Sequence, residues 1–64
     1  MVKNALDIRV GDRLVPNLDE DRIVIVDYVT EEDDGIYVEG YYEDDGEEYQ
    51  DLLESDDEVT VTRR

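Results

Sequence analysis

RIVIVDYVT (Arg22–Thr30), then Asp33-Asp34-Gly35, then IYVEGYYE (Ile36–Glu43) is the stretch on which the fold turns. Its first part carries apolar residues at both odd and even positions, which suits a central, strongly bent strand better than a flat amphipathic edge. Asp-Asp-Gly is hairpin chemistry, because glycine takes the left-handed conformation required at the last position of a three-residue loop. If those three residues form the loop, Glu32 pairs with Ile36, and counting inward places Val26 opposite Tyr42, Tyr28 opposite Gly40 and Thr30 opposite Val38. That register gathers apolar residues on one face. It predicts that the Tyr28 ring lies across Gly40, as aromatic rings do over sheet glycines. Asp27, Val29, Tyr37, Glu39 and Tyr41 fall on the opposite face.

Working outward, Asp44-Asp45-Gly46 repeats the turn chemistry and leads into a strand over 47–52. A three-residue loop there pairs Tyr41 with Tyr49 on the outer face, whereas a two-residue loop pairs Tyr42 with Tyr49 inside; both registers stay open. Upstream, IRVGDRLV (Ile8–Val15) reads as a first strand interrupted at Gly11-Asp12, and Pro16 to Asp21 as a turn-rich connection. Downstream, Leu53 to Asp57 reads as a helical turn, and EVTVT (Glu58–Thr62) alternates as a final strand with Val59 and Val61 inward. The expected fold is a single mostly-β domain over 1–64: five antiparallel strands near 8–15, 22–30, 36–43, 47–52 and 58–62, with one short helical turn before the last.

This order of five short strands, a turn-rich first connection, two tight hairpins and a helical turn resembles the SH3-like small barrel, including the KOW and Tudor-like families. Val10-Gly11-Asp12 is similar to the apolar-Gly-Asp step with which the first strand of those families often begins. The resemblance spans residues 8 to 62 and implies a five-stranded SH3-like barrel that binds rather than catalyses. The family motifs for RNA or methyl-lysine have no residue-by-residue match here, so the resemblance assigns no binding residue.

Composition narrows function by exclusion. The 64 residues hold 21 Asp or Glu against six Lys or Arg, a net charge of −15, with neither His nor Cys. A chain this short buries only about 60% of the surface its unfolded form exposes, so its core is modest. No disulfide, thiolate nucleophile or sulfur-based zinc site can form, and the commonest metal ligand and general base is absent. The single serine, Ser55, lies in an acidic turn with no His to activate it. Neither Gly35 nor Gly46 fits the sixth position of an EF-hand loop: the first and twelfth ligands would be Thr30 and Tyr41, or Tyr41 and Leu52. No enzymatic activity, cofactor or specific metal site is therefore expected, only diffuse association of hydrated cations with clustered carboxylates.

The charge excess repels itself in any compact state. Five Arg against one Lys, saturating Asp and Glu, and plentiful Val and Ile resemble the proteins of extremely halophilic archaea, where molar salt shortens the Debye length to about 3 Å. Residues 23 to 62 contain 16 acids and no cation. No run approaches the roughly 20 apolar residues of a membrane span, and the first five residues lack a secretory h-region, so a cytoplasmic protein without membrane contact is expected.

Function must then rest on a surface. Tyr37 and Tyr41, four apart on a strand, share a face, with Tyr49 as a third member if its register places it there. SH3-like families place aromatics on such surfaces to stack bases, grip Pro-rich segments or cage methylated amines; the same rings can equally cover the barrel. Three readings follow. The first is a salt-adapted, non-enzymatic protein-interaction module that docks a protein partner or its own copy as a homodimer. The second is RNA binding, which requires Arg9, Arg13, Arg22, Arg63 and Arg64 to converge beside exposed Tyr. The third is a DNA mimic whose carboxylates occupy a basic site on another protein.

Overall fold

The structure, a computed structural model, describes residues 1–16 and 21–62. The part of the expected first connection at 17–20, together with Arg63 and Arg64, lies outside the described residues. The chain is mostly β. Six strands, β1 (Val2–Asn4), β2 (Arg13–Val15), β3 (Val24–Glu32), β4 (Gly35–Tyr42), β5 (Glu48–Leu53) and β6 (Glu58–Thr62), form one antiparallel sheet in the order β1-β6-β2-β3-β4-β5. One 3-10 turn, Ala5–Asp7, follows β1 and is capped by the Asn4 side chain, which accepts from the Leu6 amide at 2.9 Å.

Three expectations are corrected. The described residues form six strands rather than five, because Val2–Asn4 pairs with β6 ahead of the segment read as the first strand. That segment shortens to Arg13–Val15, although the Gly11 N–H still donates to the Val26 carbonyl at 2.8 Å and the Val26 N–H to the Asp12 carbonyl at 3.0 Å. The interruption at Gly11-Asp12 thus grips the centre of β3. Finally, no helical turn precedes the last strand. β5 runs on through Leu53, leaving only Glu54 to Asp57, which close as a tight turn: the Asp57 N–H donates to the Glu54 carbonyl and the Asp57 carboxylate accepts from the Glu54 N–H, both at 3.0 Å.

That short turn explains the curvature. β5 is one edge of the sheet, yet β6 lies beside the other edge, and five Cα steps reach roughly 18 Å at most. The sheet must curl until its two sides nearly meet. β5 and β6 share no ladder, so the curled sheet stays open rather than closing as a barrel.

The β3–β4 register also departs from expectation, with consequences for the outer surface. The turn contains two residues, Asp33 and Asp34, and Glu32 pairs with Gly35. Near the turn Thr30 opposes Tyr37 and Tyr28 opposes Glu39; beyond a bulge at Asp27, Val26 opposes Gly40 and Val24 opposes Tyr42. The added residue shifts β3 by one, so its inward parity changes from Val24 and Val26 to Val29. Two parities of apolar residues in one strand are thereby reconciled. Tyr28, expected inside over Gly40, instead points outward and is 49% exposed. Gly40 serves a different close approach: a Cβ there would strike the Ile25 carbonyl oxygen and sit 3.1 Å from Val24 Cγ1.

The concave face collects Ala5, Ile8, Leu14, Val24, Val26, Ile36, Val38, Val59 and Val61 as the buried core, with Val29, Tyr42, Tyr49 and Leu53 packed at its margin. Each fully buried valine contributes about 1.5–3 kcal/mol relative to exposure, and small β-branched side chains suit a tightly curled sheet. No helix among the described residues is long and apolar enough to cross a membrane.

Candidate functional site

The convex face of the β3–β4 hairpin carries the alternate residues that the core leaves outside: Tyr28, Thr30 and Glu32 on β3, and Tyr37, Glu39 and Tyr41 on β4. Leu52 of β5 pairs with Tyr37 across the next ladder and is 49% exposed. Tyr28 and Tyr37 are diagonal neighbours whose rings meet edge to face, 6.2 Å between centroids and 65° between planes. They form the floor of a shallow groove of about 480 Å³ lined by Tyr28, Thr30, Glu32, Tyr37 and Glu39. The Tyr37 hydroxyl donates to Glu39 Oε2 at 2.8 Å. That bond, followed by partial burial and the Glu39 charge, raises the Tyr37 phenol above its ordinary range.

Of the three expected aromatic residues, Tyr37 and Tyr41 lie on this face, with Tyr41 exposed and opposite Ile25 and Glu48. Tyr49 does not. Five residues, Glu43 to Glu47, link β4 to β5, and both registers left open by the sequence give way to a pairing of Tyr49 with Gly40. The ring turns to the core side, where it meets Tyr42 edge to face at 5.8 Å and 85°. Burial, and then Asp51, which accepts from its hydroxyl at 3.0 Å, raises the Tyr49 phenol well above its ordinary range.

The described arginines do not gather beside Tyr28 and Tyr37. Arg9 is exposed in the loop before β2. Arg13 pairs with Glu43, and its Nε is buried without a hydrogen-bond partner. Arg22 sits against the β4–β5 loop: Nε and Nη2 donate to the two oxygens of Asp44 at 3.2 and 3.1 Å, Nη2 donates to Asp45 at 2.9 Å, and the guanidinium carbon lies 3.6 Å from the Tyr42 ring centroid. The hydrogen bonds from Arg22 hold the Asp44 carboxyl below the usual carboxylate range. Lys3 is paired with Asp12 at 3.0 Å.

A second groove runs between the β3–β4 and β5–β6 turns, walled by Glu31, Glu32, Asp33, Asp34, Glu54 and Asp56. One carboxylate oxygen each from Glu54, Asp56 and Asp57 lies within 4.8 Å of the others, and all three residues are exposed. This spacing suits shared, hydrated cations.

Sequence reasoning missed Tyr28, Thr30 and Glu32 as members of the outer face. The signal was present in RIVIVDYVT: its two apolar parities demand a bulge, and Asp27 is the one charged residue between Ile23 and Thr30. A bulge placed there sends Tyr28 outward.

No protein-family model matches this chain. No curated protein matches it, and no solved structure does.

Proposed function

We propose that this chain is a non-enzymatic, salt-adapted interaction module of SH3-like architecture that docks a protein partner on the convex face of its β3–β4 hairpin. The observation that carries this reading is the set of rings turned away from the core: Tyr28 and Tyr41 are 49% and 41% exposed, and Tyr28, opposite Glu39, stands across from the stretch of β4 between Tyr37 and Tyr41, with Leu52 beside Tyr37. Scattered apolar residues on a surface are ordinary, but a contiguous set on one sheet face marks an interaction site.

The SH3-like part of the reading draws on strand order: β2 to β5 form a meander, and β6 returns to lie beside β2 after a tight turn. The non-enzymatic part draws on the interior. The enclosed space beside Leu14, Tyr49 and Val59 amounts to about 20 Å³, no more than a water needs, and a reaction site requires a larger water-excluding pocket. The grooves beside Tyr28 and Tyr37 and between the β3–β4 and β5–β6 turns are shallow and lined by carboxylates. A protein is favoured over nucleic acid because Arg13 and Arg22 already bind Glu43, Asp44 and Asp45, while carboxylates that would repel phosphate border the rings.

Capture from a cell extract at molar KCl tests the reading. The native chain should retain proteins that a Tyr28→Ser/Tyr37→Ser/Tyr41→Ser variant, shown to be folded by circular dichroism, does not; identical retention by both would remove the face from consideration. The salt-adapted part makes a separate demand, that thermal stability climb steeply between dilute buffer and molar KCl.

A further inference from the structure

The molecule contains two assemblies of similar parts. At the first, the Tyr42 ring and the carboxylates of Asp44 and Asp45 surround a guanidinium, that of Arg22. At the second, the Tyr28 and Tyr37 rings are flanked by the carboxylates of Glu32 and Glu39, with Thr30 completing the wall and no Lys or Arg among the lining residues. Residues 23 to 62, which supply all of that wall, contain no cation at all. The first assembly shows what the second is chemically suited to hold.

We infer that the Tyr28/Tyr37 groove receives an unmodified arginine side chain presented by a basic segment of a protein partner. This rests on the reading of the convex hairpin face as a docking surface. A guanidinium is planar and weakly hydrated, so it can lie on an aromatic face while its N–H groups fork to carboxylates; an ammonium is a strongly hydrated point charge that does the two together less well. Ring faces are electron-rich, and Glu39, which accepts from the Tyr37 hydroxyl, adds negative charge at the groove edge. Charge complementarity selects the partner. A second copy would bring another −15 against this one, and a nucleic acid would bring phosphate to carboxylate, whereas a basic segment meets opposite charge along the hairpin.

The test is an amide NMR titration of the full chain in molar KCl, where loose charge attraction is screened. The probes are N-acetyl-arginine amide, its lysine counterpart and its Nω-dimethylated counterpart. Saturable shifts from the arginine probe should centre on Tyr28, Thr30, Tyr37 and Glu39. Lysine should bind several-fold more weakly, and dimethylation should weaken binding because it blocks the forked hydrogen bonds. Tyr28→Ala and Glu39→Gln should each reduce arginine affinity by roughly five- to tenfold; the glutamine variant preserves the shape of the site should the alanine variant perturb it. Equal affinity for lysine and arginine, tighter binding of the dimethylated probe, or shifts spread over Glu31 to Asp34 and Glu54 to Asp57 would overturn the arginine assignment. So would concentration-dependent shifts on this face without any probe, which would name a second copy as the occupant, or saturable shifts there with an RNA oligonucleotide alone. In each of those cases the capture experiment still decides separately whether the face docks a partner. An arginine titration with no saturable shift at the groove removes the inference outright.

Discussion

The Arg22 site and the outer groove are built from rings and carboxylates, but they relate differently to the fold. Arg22 comes from the segment before β3 and reaches Asp44 and Asp45 in the β4–β5 loop, so its contacts join parts of the chain 22 and 23 residues apart. The guanidinium is a structural clasp. Tyr28, Thr30, Tyr37 and Glu39 lie on adjacent strands already joined by the ladder, and their side chains close no further loop. Rings and carboxylates at the second place therefore add little to folding, while leaving aromatic surface exposed. The same chemistry performs a structural task where the chain supplies the cation, and is available to a partner where it does not.

The separation of the two sites depends on the Asp27 bulge and on Gly40, which lets β3 approach where its register shifts. Gly40→Ala should give the largest effect. Its Cβ would collide with the Ile25 carbonyl, a backbone atom that cannot swing aside, so a loss of about 3 kcal/mol or more is expected. For a domain of this size that is a large fraction of total stability. Circular dichroism in molar KCl should find the variant mostly unfolded; a normal melting transition would mean that this close approach does not set which rings face outward.

Removing one component from each site sharpens the contrast. Arg22→Ala removes a side chain only 23% exposed, its stacking on Tyr42 and its contacts to two aspartates, and should lower stability by about 1–2 kcal/mol. Part of that loss should fade at high salt. Tyr28→Ala, at a half-exposed position outside the core, should cost only about 0.5 kcal/mol. Denaturant titrations of both variants measure the difference. Equal losses would make the outer rings structural and take away the reason to read them as a docking surface.

Much of this arrangement is legible in the chain, and the failures share a cause. Alternation in EVTVT identifies β6 and its inward valines without help from elsewhere in the fold, and Asp33-Asp34-Gly35 marks the hairpin. Neither signal counts loop residues. One residue fewer in the first turn changes which residues oppose each other, and the bulge at Asp27 changes them again, so Tyr28 moved from the core to the surface. Tyr37 and Tyr41 kept their common face because β4 has no such irregularity against β5. Tyr49 was beyond reach because the β4–β5 loop is held by tertiary bonds: the Glu43 N–H donates to the Ile23 carbonyl, and Arg22 engages the two aspartates. Pairing of Val2–Asn4 with β6 depends likewise on the distant end of the chain, which a local pattern of three residues cannot announce.

The smallest expected effect separates the sites by titration, and its sign differs between them. Asp44 is held below 3.8 by Arg22, so its contribution to stability is present above that value and is lost as pH falls through the folded-state pKa. Tyr37 is held above 10.0, first by the hydrogen bond to Glu39. Its neutral form therefore supports the fold below pH 10, and that support is lost as pH rises through the folded-state value. Carbon-detected NMR of the Asp44 carboxyl and the Tyr37 ring can follow each directly. Arg22→Ala should move only Asp44 upward, and Glu39→Gln should move only Tyr37 downward, because each shift has a local first cause. An arginine probe seated in the outer groove should lower Tyr37 as well, since a cation beside a phenol favours its ionised form. A Tyr37 titration unmoved by saturating probe would place the guanidinium elsewhere, and the outer groove would then share its composition with the Arg22 site but not its binding chemistry.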